Sequence, residues 1–532
     1  MAATSFVRHR ARRALYPVSE VRRLQVLAQS NTIRALAPAY EGATRKRTQK
    51  DWNATDISAD AALEESLPDI RAKTREQVRN NPIARAITDV LTDYAVGTGL
   101  TPWSKVDHEA IGITLDQAIE WGMSCERYFE RAAPHLDMRG TTDFVGLQRL
   151  VCRREIEDGE SFAMLPLVDL PGRPLKTAVD VIEGDRIDTP QGIGRDENVR
   201  MGVVLGRYAQ PVAYYVFLQH PGDSFWQPLS RSRKWQKVLA WQDGRRVMLH
   251  VYDVQRGGQS RGEPLFASSI SPLYDLKKYD DAELIAARVA ACFSVLIKRM
   301  DPAAALDAET EERGDVYPVE QLEPGMVERL KPGEDVAVVN PSRPNTATIS
   351  YIEGKLKLIS ASTGLPLMLV LKDFSKSNFS NTRAASNEAY RAVLVRRRRV
   401  VHRFAHPVWQ AVIDEGVATG VLAPPVDYEE FRDSLTFARW IGPGRGYVDP
   451  VKEVQAARDA IDAGLSTLQD ECALLGKDWE EVMEQRAREI ARAKELGLEV
   501  APKPPPVPGA PPKPGADDDD DEDETEDDDD DR

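Results

Sequence analysis

The stretch NTRAASNEAYRAVLVRRRRVVHRFAHPVWQAVIDEG, residues 381–416, places four consecutive arginines inside an amphipathic helical pattern. Its apolar positions recur mostly at spacings of three, four or seven: Tyr390, Val393, Leu394, Val401, Phe404, Val408 and Val412. Because a helix turns about 100° per residue, Arg396 to Arg399 splay around most of its circumference. The apolar stripe, extended by its own spacing, passes through Arg397.

Two interpretations of this arginine run are open. In the first, the helix is solvated and its arginine stems lie along neighbouring side chains. In the second, the helix belongs to a large assembly, where each arginine meets a partner subunit, a carboxylate or a phosphate. If the run serves subunit packing, Arg397→Glu is expected to be the most damaging change, and Arg399→Glu to matter less if its side faces water.

The charge of the chain is distributed unevenly. The 532 residues carry a formal net charge of −15, of which the tail DDDDDEDETEDDDDDR (517–532) contributes −13 and residues 1–50 contribute +9. The body between them is mildly acidic, at −11. Four cysteines without CxxC spacing predict neither a disulfide framework nor a zinc ribbon, and no apolar run approaches the ~18 residues of a membrane span.

The pattern along the chain predicts an α+β protein. The first part of the chain has helical periodicity, and Asn81 and Pro82 are the expected cap and first-turn proline of one helix. Between about residues 150 and 255 the pattern changes to strand-like alternation. Within that region Asp243-Gly244 is typical of a hairpin turn. Two long helical stretches then flank a segment rich in Pro, Gly and acids, like a stalk with a tip.

The arginine helix follows a loop rich in Ser, Asn and Lys. Ser380 or Asn381 is the expected N-cap of this helix, and Pro407 is expected to end or kink it. A helical block covers roughly residues 450–498, and the proline-rich spacer and acidic tail after it are expected to be disordered.

Motifs for catalysis are missing. The sequence has no GxxxxGK[ST] and no GxSxG, so neither ATP hydrolysis nor a serine nucleophile is expected. His402 and His406 have metal-ligand spacing, but the neighbouring arginines disfavour a cation. The acids Glu157-Asp158-Gly159-Glu160 and Asp280-Asp281 could bind Mg²⁺ in a nuclease, yet they are explained more simply by a turn and a solvated helix face. We therefore predict no catalytic residue, no metal and no cofactor.

Several stretches carry a resemblance to one family. They are IARAITDVLTDYAVGTGL (83–100), EIEDGESFAMLPL (155–167), VIEGDRIDTP (181–190), MGVVLGRYAQPVAYYV (201–216), VMLHVYDVQRGGQSRGEPLF (247–266), ASTGLP before the Ser/Asn/Lys loop, the arginine helix, and WIGPGRGYVDPVKEVQAARDAIDAGLSTLQDECALLGKDWEEVMEQ (440–485). In this order they resemble the lambda-type portal proteins of tailed bacteriophages. The resemblance covers about residues 55–495, and the basic arm, spacer and acidic tail lie outside it.

The resemblance implies a dodecameric ring at one vertex of the capsid, through which double-stranded DNA is packaged and ejected. By order along the chain, it implies these regions: 1–50 flexible basic arm, 51–265 α+β wing, 266–292 descending stem helix, 293–346 clip, 347–366 ascending stem helix, 367–381 tunnel loop, 382–450 wing return, 451–498 crown, and 499–532 spacer and disordered tail. The implied partners are the terminase large subunit, head-completion or tail connector proteins, and the major capsid and scaffold proteins. Assembly is expected in the bacterial host cytoplasm and residence in the virion, with no membrane contact.

The candidate site residues follow from this mapping. Lys355, Lys357, Lys372 and Lys376 are candidates for weak, sequence-independent contact with DNA in the channel, and a mildly acidic body suits a duplex that must slide. Arg396, Arg397, Arg398 and Arg399 are candidates for the subunit interface, with DNA contact as the second choice. Two rival functions remain, a metal-dependent DNA-processing enzyme and another capsid-associated structural protein such as a head-closure adaptor.

Overall fold

The computed structural model describes residues 56–169, 171–193, 198–223, 234–291, 295–299, 334–338, 346–375, 377–444, 446 and 450–498. The chain divides into two compact units, Met1–Glu65 and Ser66–Arg532. Of the first unit, only residues 56–65 are described. The predicted basic arm (1–50), most of the predicted clip (293–346), Lys376, and the spacer and tail (499–532) lie outside the described residues.

The described helices are α1 (Ala59–Asn80), α2 (Pro82–Ala95), α3 (His108–Ile111), α4 (Leu115–Ala132), α5 (Phe144–Asp158), α6 (Ile270–Ala291), α7 (Thr346–Thr363), α8 (Leu367–Leu371), α9 (Phe379–Val400), α10 (His406–Ala418), α11 (Tyr428–Leu435), α12 (Pro450–Asp462), α13 (Leu468–Leu474) and α14 (Trp479–Glu495). Short 3₁₀ turns occupy Ala133–His135 and Gly184–Arg186. None of the described helices is long and apolar enough to cross a membrane.

Local capping signals explain where several helices begin. The Asn81 side chain accepts a hydrogen bond from the Ile83 backbone N–H at 3.0 Å, and Pro82 starts α2, as predicted. Thr114 and Gln117 form a reciprocal capping box at the start of α4. These side chains satisfy backbone donors that a first helical turn leaves unpaired.

The described strands are β1 (Thr101–Ser104), β2 (Glu160–Met164), β3 (Asp180–Ile182), β4 (Val199–Arg200), β5 (Val203–Leu205), β6 (Pro211–Phe217), β7 (Trp235–Leu239), β8 (Trp241–Gln242), β9 (Arg245–Arg246), β10 (Met248–Tyr252), β11 (Val295–Arg299), β12 (Glu334–Val338) and β13 (Ala438–Ile441). They form small antiparallel sheets in the orders β10-β2-β3 and β4-β5-β6-β7, with the pairs β1-β13, β8-β9 and β11-β12. In the three-stranded sheet, β2 is central and pairs His250 with Phe162.

The predicted turn at Asp243-Gly244 is confirmed. It joins β8 to β9, and both turn residues have positive φ, 51° and 75°. Such a turn requires left-handed backbone at both central positions, which Asp tolerates and Gly adopts freely.

Helices α6 and α7 run antiparallel to one another. The Ser269 hydroxyl, one residue before α6, lies 2.8 Å from that of Ser362, while the Tyr279 hydroxyl lies 3.2 Å from that of Thr348. The rings of Tyr279 and Tyr351 are 4.9 Å apart between centroids. The connection between the two helices contains the β11-β12 pair.

Aromatic side chains from distant parts of the chain form the centre of the main core. Phe129 on α4 packs edge-on against Phe144 and Trp409, each with a centroid distance of 5.2 Å, and Phe144 stacks on Phe404 at 5.9 Å. The Trp409 indole N–H donates to the Thr436 carbonyl oxygen at 2.8 Å. The second half of the arginine-rich stretch therefore packs against α4 and the start of α5.

The N-cap of the arginine helix differs from prediction, whereas an interruption does occur near Pro407. Its N-cap is Asn378, whose side chain accepts from the Asn381 N–H at 2.9 Å, and neither Ser380 nor Asn381 takes that role. The interruption expected at Pro407 takes the form of a π-helical turn, Val401–Ala405, which connects α9 directly to α10. The wider turn removes the clash that the proline ring would make with the preceding turn of an α-helix.

Candidate assembly and DNA-channel sites

Arg397 is buried against the backbone of two other segments. Its Nε donates to the Ala95 carbonyl oxygen at 3.0 Å, and its Nη2 donates to those of Tyr94 at 2.9 Å and Pro443 at 2.8 Å. Only 9% of the residue is exposed. Arg397 thus caps the C-terminal end of α2, where backbone carbonyls lack helical partners and favour a cation.

Arg396 and Arg399 share one buried carboxylate. Both guanidinium groups contact Glu155 on α5, and Arg399 also pairs with Asp253 at 2.6 Å. The side of the helix that carries Arg399 therefore does not face water. Arg399→Glu was expected to matter less only if that side did face water, so this condition is not met. The positive charges of Arg396 and Arg399 can lie close together because both contact the Glu155 carboxylate, and Asp253 adds a second carboxylate beside Arg399.

Arg398 is the exposed member of the run. It lies one turn before His402, and burial, with Arg398 and Arg403 adding to the effect, lowers the pKa of His402. Three of the four arginines thus have partners within their own chain. The arginine run therefore mainly connects α9 to α2 and α5 within one chain, and only Arg398 of the four is exposed.

A second ionic cluster surrounds the Glu157-Asp158-Gly159-Glu160 motif. Glu160 is fully buried and contacts Arg71, Arg261 at 2.6 Å and His250 at 2.8 Å. Although its burial opposes ionisation, the two guanidinium groups hold the pKa of Glu160 well below its usual range. The carboxylate of Glu160 is therefore ionised, and its charge is balanced by the buried arginines of the protein.

The preceding acids are paired in the same way. Asp158 pairs with Arg75 at 2.6 Å, and Glu157 pairs with Arg153 and Arg154, each at 2.8 Å. In the described part of the chain, no group of three His, Cys, Asp or Glu side chains is arranged to hold a metal ion. The acidic motif is thus an ion-pair network, and Asp280 and Asp281 lie exposed on α6.

Sequence reasoning missed the basic half of this cluster. Arg71, His250 and Arg261 come from three segments that only folding brings together. One signal was available in the sequence: Glu160 directly precedes the strand-like, mostly apolar run SFAMLPL, and the structure buries the first residues of this run. A carboxylate at such a position needs buried cations or donors nearby.

The lysine candidates for the channel are not on one face. Lys355 and Lys357 both lie on α7, but two residues correspond to about 200° of rotation, so they point away from each other. Lys355 lies over the Tyr351 ring at 5.6 Å, and the exposed Lys357 is 3.8 Å from Glu353. Lys372 is exposed after α8, with φ 54°, and Lys376 lies outside the described residues.

Comparison with known proteins identifies the family. The profile of the family described as phage portal protein, lambda family, matches residues 45–397, which is more than half of the chain. The chain belongs to the lambda family of phage portal proteins. The predicted family is thereby confirmed, and the helices and strands described above confirm the predicted α+β fold class.

Two curated relatives span nearly the whole length. Portal protein B of Escherichia phage lambda is 26% identical to the chain over 483 residues, which cover 86% of this portal chain and 89% of that protein. The portal protein of Escherichia phage N15 is 25% identical over 476 residues, covering 84% and 89%. Each match therefore covers most of this chain and most of the relative.

Solved structures with a similar chain come from gene transfer agent (GTA) particles. One, titled virion of native gene transfer agent particle, has a TM-score of 0.44 at 14% identity and covers 81% of this chain and 98% of that one. Another, the neck of an empty GTA particle, has a TM-score of 0.46 at 13% identity and covers 80% and 95%.

Proposed function

We propose that the chain assembles into a closed dodecameric ring at one capsid vertex and forms the channel for packaging and ejecting double-stranded DNA. The observation that carries this proposal is the near full-length match to portal protein B of phage lambda. A portal needs a wall and docking surfaces and no chemistry of its own, and the paired carboxylates at Glu157, Asp158 and Glu160 agree with a structural role.

The antiparallel pair α6 and α7 is the proposed stem, and the β11-β12 pair belongs to the proposed clip. Lys357 and Lys372 are exposed and remain the stronger candidates for passing contact with DNA, whereas Lys355 is partly engaged with Tyr351. Exposed lysines that are separated on the chain, one of them near Glu353, would hold phosphates weakly, which suits a duplex that must slide.

Arg398 is the proposed interface residue of the arginine run, because it is the exposed one and stands on the same rigid helix as three anchored arginines. A neighbouring copy that supplies a carboxylate to Arg398 would connect the buried network of one subunit to the next. Arg396, Arg397 and Arg399 then support the interface by fixing the orientation of α9.

The proposed partners act at different ends of the ring. The terminase large subunit, which carries the ATPase, would dock at the clip during packaging, and head-completion or tail connector proteins would replace it there. Major capsid and scaffold proteins would contact the wing. Assembly would take place in the cytoplasm of the bacterial host and the product would be retained in the virion.

Negative-stain microscopy with rotational averaging, combined with native mass spectrometry, tests the ring. Closed twelvefold rings without ATPase activity are expected. A protein that stays monomeric at micromolar concentration at every salt concentration would contradict the proposal, and Mg²⁺-dependent DNA cleavage would favour the enzyme alternative.

The channel lysines are tested separately, in rings that have already formed. Lys357→Gln with Lys372→Gln is expected to leave rings intact and to alter the rate of DNA packaging. The control is Lys477→Gln, an exposed lysine between α13 and α14. Unchanged packaging in the double variant would remove these two lysines from the channel.

A further inference from the structure

An open cavity of about 420 Å³ is lined mainly by arginines. Its cationic lining consists of Arg75, Arg79, Arg85, Arg153 and Arg154. They come from the end of α1, the start of α2 and the middle of α5, and the loops at Glu183 and His220 complete the rim. None of these arginines belongs to the run at 396–399.

Glu157 and Glu183 also line the cavity, and two nearby carboxylates, Glu157 and Asp89, are each shared between two arginines. Glu157 pairs with both Arg153 and Arg154 at 2.8 Å, and Asp89 pairs with Arg153 at 2.7 Å and Arg85 at 3.5 Å. A guanidinium group has five N–H donors, so a shared carboxylate leaves donors of both arginines available.

Two arginines of the lining have N–H donors that are available to a ligand. Arg79 is exposed at the last turn of α1, and the buried Nε of Arg154 has no hydrogen-bond partner in the described structure. A buried donor without a partner costs free energy that an incoming acceptor recovers. The cavity therefore suits a ligand with several anionic oxygens.

The chain itself carries such a ligand. Residues 517–532 contain fourteen acids and one arginine, and the portal function assigns them no role. Carboxylates pair with guanidinium groups through two parallel hydrogen bonds, so a run of aspartates can serve several arginines at once. We propose that the acidic tail docks in this arginine cavity, in its own subunit or in a neighbouring one.

The spacer before the tail allows it to extend far from the last described helix. Eighteen residues separate Leu498, the last described residue, from Asp517, and eight of them are proline within PKPPPVPGAPPKPG. At about 3.1 Å per residue, a polyproline spacer of that length would extend over roughly 55 Å. Tethering also gives the tail a high effective concentration at the cavity. The docked tail would then exclude other polyanions, nucleic acid among them.

A binding experiment in the full chain tests the proposal. The fourteen tail acids are replaced by their amides, and a fluorescent peptide of residues 517–532 is added while its anisotropy is followed. Saturable binding that weakens with salt is expected, and Arg79→Gln with Arg85→Gln should weaken it about fivefold or more, because each exposed pair contributes modestly. These two arginines are the most exposed of the lining, and melting temperatures verify that the variant is folded.

The control is Arg488→Gln with Arg492→Gln, two arginines on α14 that are 70% and 69% exposed. It should leave peptide binding unchanged. Equal loss in the control, or undiminished binding in the cavity variant, would overturn the proposal. If a short DNA duplex binds in the cavity while the peptide does not, the site is a nucleic-acid site and the tail is not its occupant. All these outcomes are independent of ring formation.

Discussion

Arg397 donates a hydrogen bond from its Nη2 to the carbonyl oxygen of Pro443, at 2.8 Å, and thereby joins α9 to the segment that follows β13. The same guanidinium group also reaches the end of α2. A single side chain therefore holds three segments that are far apart in sequence. This contact explains how one arginine can lie on the apolar stripe of its helix.

We expect Arg397→Glu to lower the free energy of unfolding by at least about 3 kcal/mol, because it leaves three carbonyl oxygens unpaired and buries an acid beside them. Denaturant unfolding followed by circular dichroism measures this change. Arg398→Glu is the matched control on the next residue, and its exposed position limits the expected cost to about 1 kcal/mol. Equal stability of the two variants would contradict the assignment of Arg397 as an internal tie.

Arg399→Glu should also be destabilising, by about 3 kcal/mol, because it would place a third carboxylate beside Glu155 and Asp253. The test is whether Asp253→Asn, made in the Arg399→Glu background, recovers part of the lost stability, since Glu155 also pairs with Arg396. No recovery would mean that the two side chains do not interact.

Features set by neighbouring residues were predictable from the sequence. Asn81-Pro82 and Asp243-Gly244 have the structures that their local chemistry favours, because a cap and a tight turn need only a few adjacent residues. The paired long helices and the α+β class followed from periodicity. The family followed from a resemblance to whole motifs and not from any physical property of single residues.

The partners of the charged residues were not predictable. Arg396 and Glu155 are 241 residues apart, and Arg397 and Ala95 are 302 apart. No local pattern encodes such contacts, so the arginine run could only be interpreted as solvated or paired. The π turn before Pro407 was missed for a related reason. The sequence rules for proline describe its effect on a regular α-helix, whereas here the helical chain continues through a π turn that is packed in the core.

Gly159→Ala should lower the melting temperature strongly. Gly159 has φ +83°, and a Cβ there would lie 2.3 Å from the carbonyl carbon of Glu263. Gly140→Ala is the control: its φ is +66°, but nothing lies within 4 Å of an added Cβ. Both variants incur the left-handed penalty of about 1 kcal/mol, so the difference between them measures the backbone contact alone. Equal melting temperatures would show that this contact is loose.

Acid should destabilise the protein through His406. Burial, helped by His402 and Arg432, lowers the pKa of His406 to about 4. The unfolded state therefore binds more protons than the folded state between pH 6.5 and 4, so stability present above pH 6.5 is lost as the pH falls through this window, by about 3 kcal/mol at most. Thermal unfolding at several pH values should show a flatter profile for His406→Gln. His135→Gln, at an exposed position, is the control and should follow the wild type.

Glu160→Gln separates an ion-pair network from a metal site. The substitution leaves Arg71 and Arg261 without their shared charge in a buried place, so we expect a loss of about 3–5 kcal/mol in unfolding free energy. The control, Glu388→Gln, changes a carboxylate that is 70% exposed beside Arg391 and should cost less than about 1 kcal/mol. Mg²⁺ should leave the wild-type melting temperature unchanged, because only a ligand that binds the folded state raises it. A rise with Mg²⁺ that Glu160→Gln abolishes would instead make the acidic motif a metal site and revive the enzyme alternative.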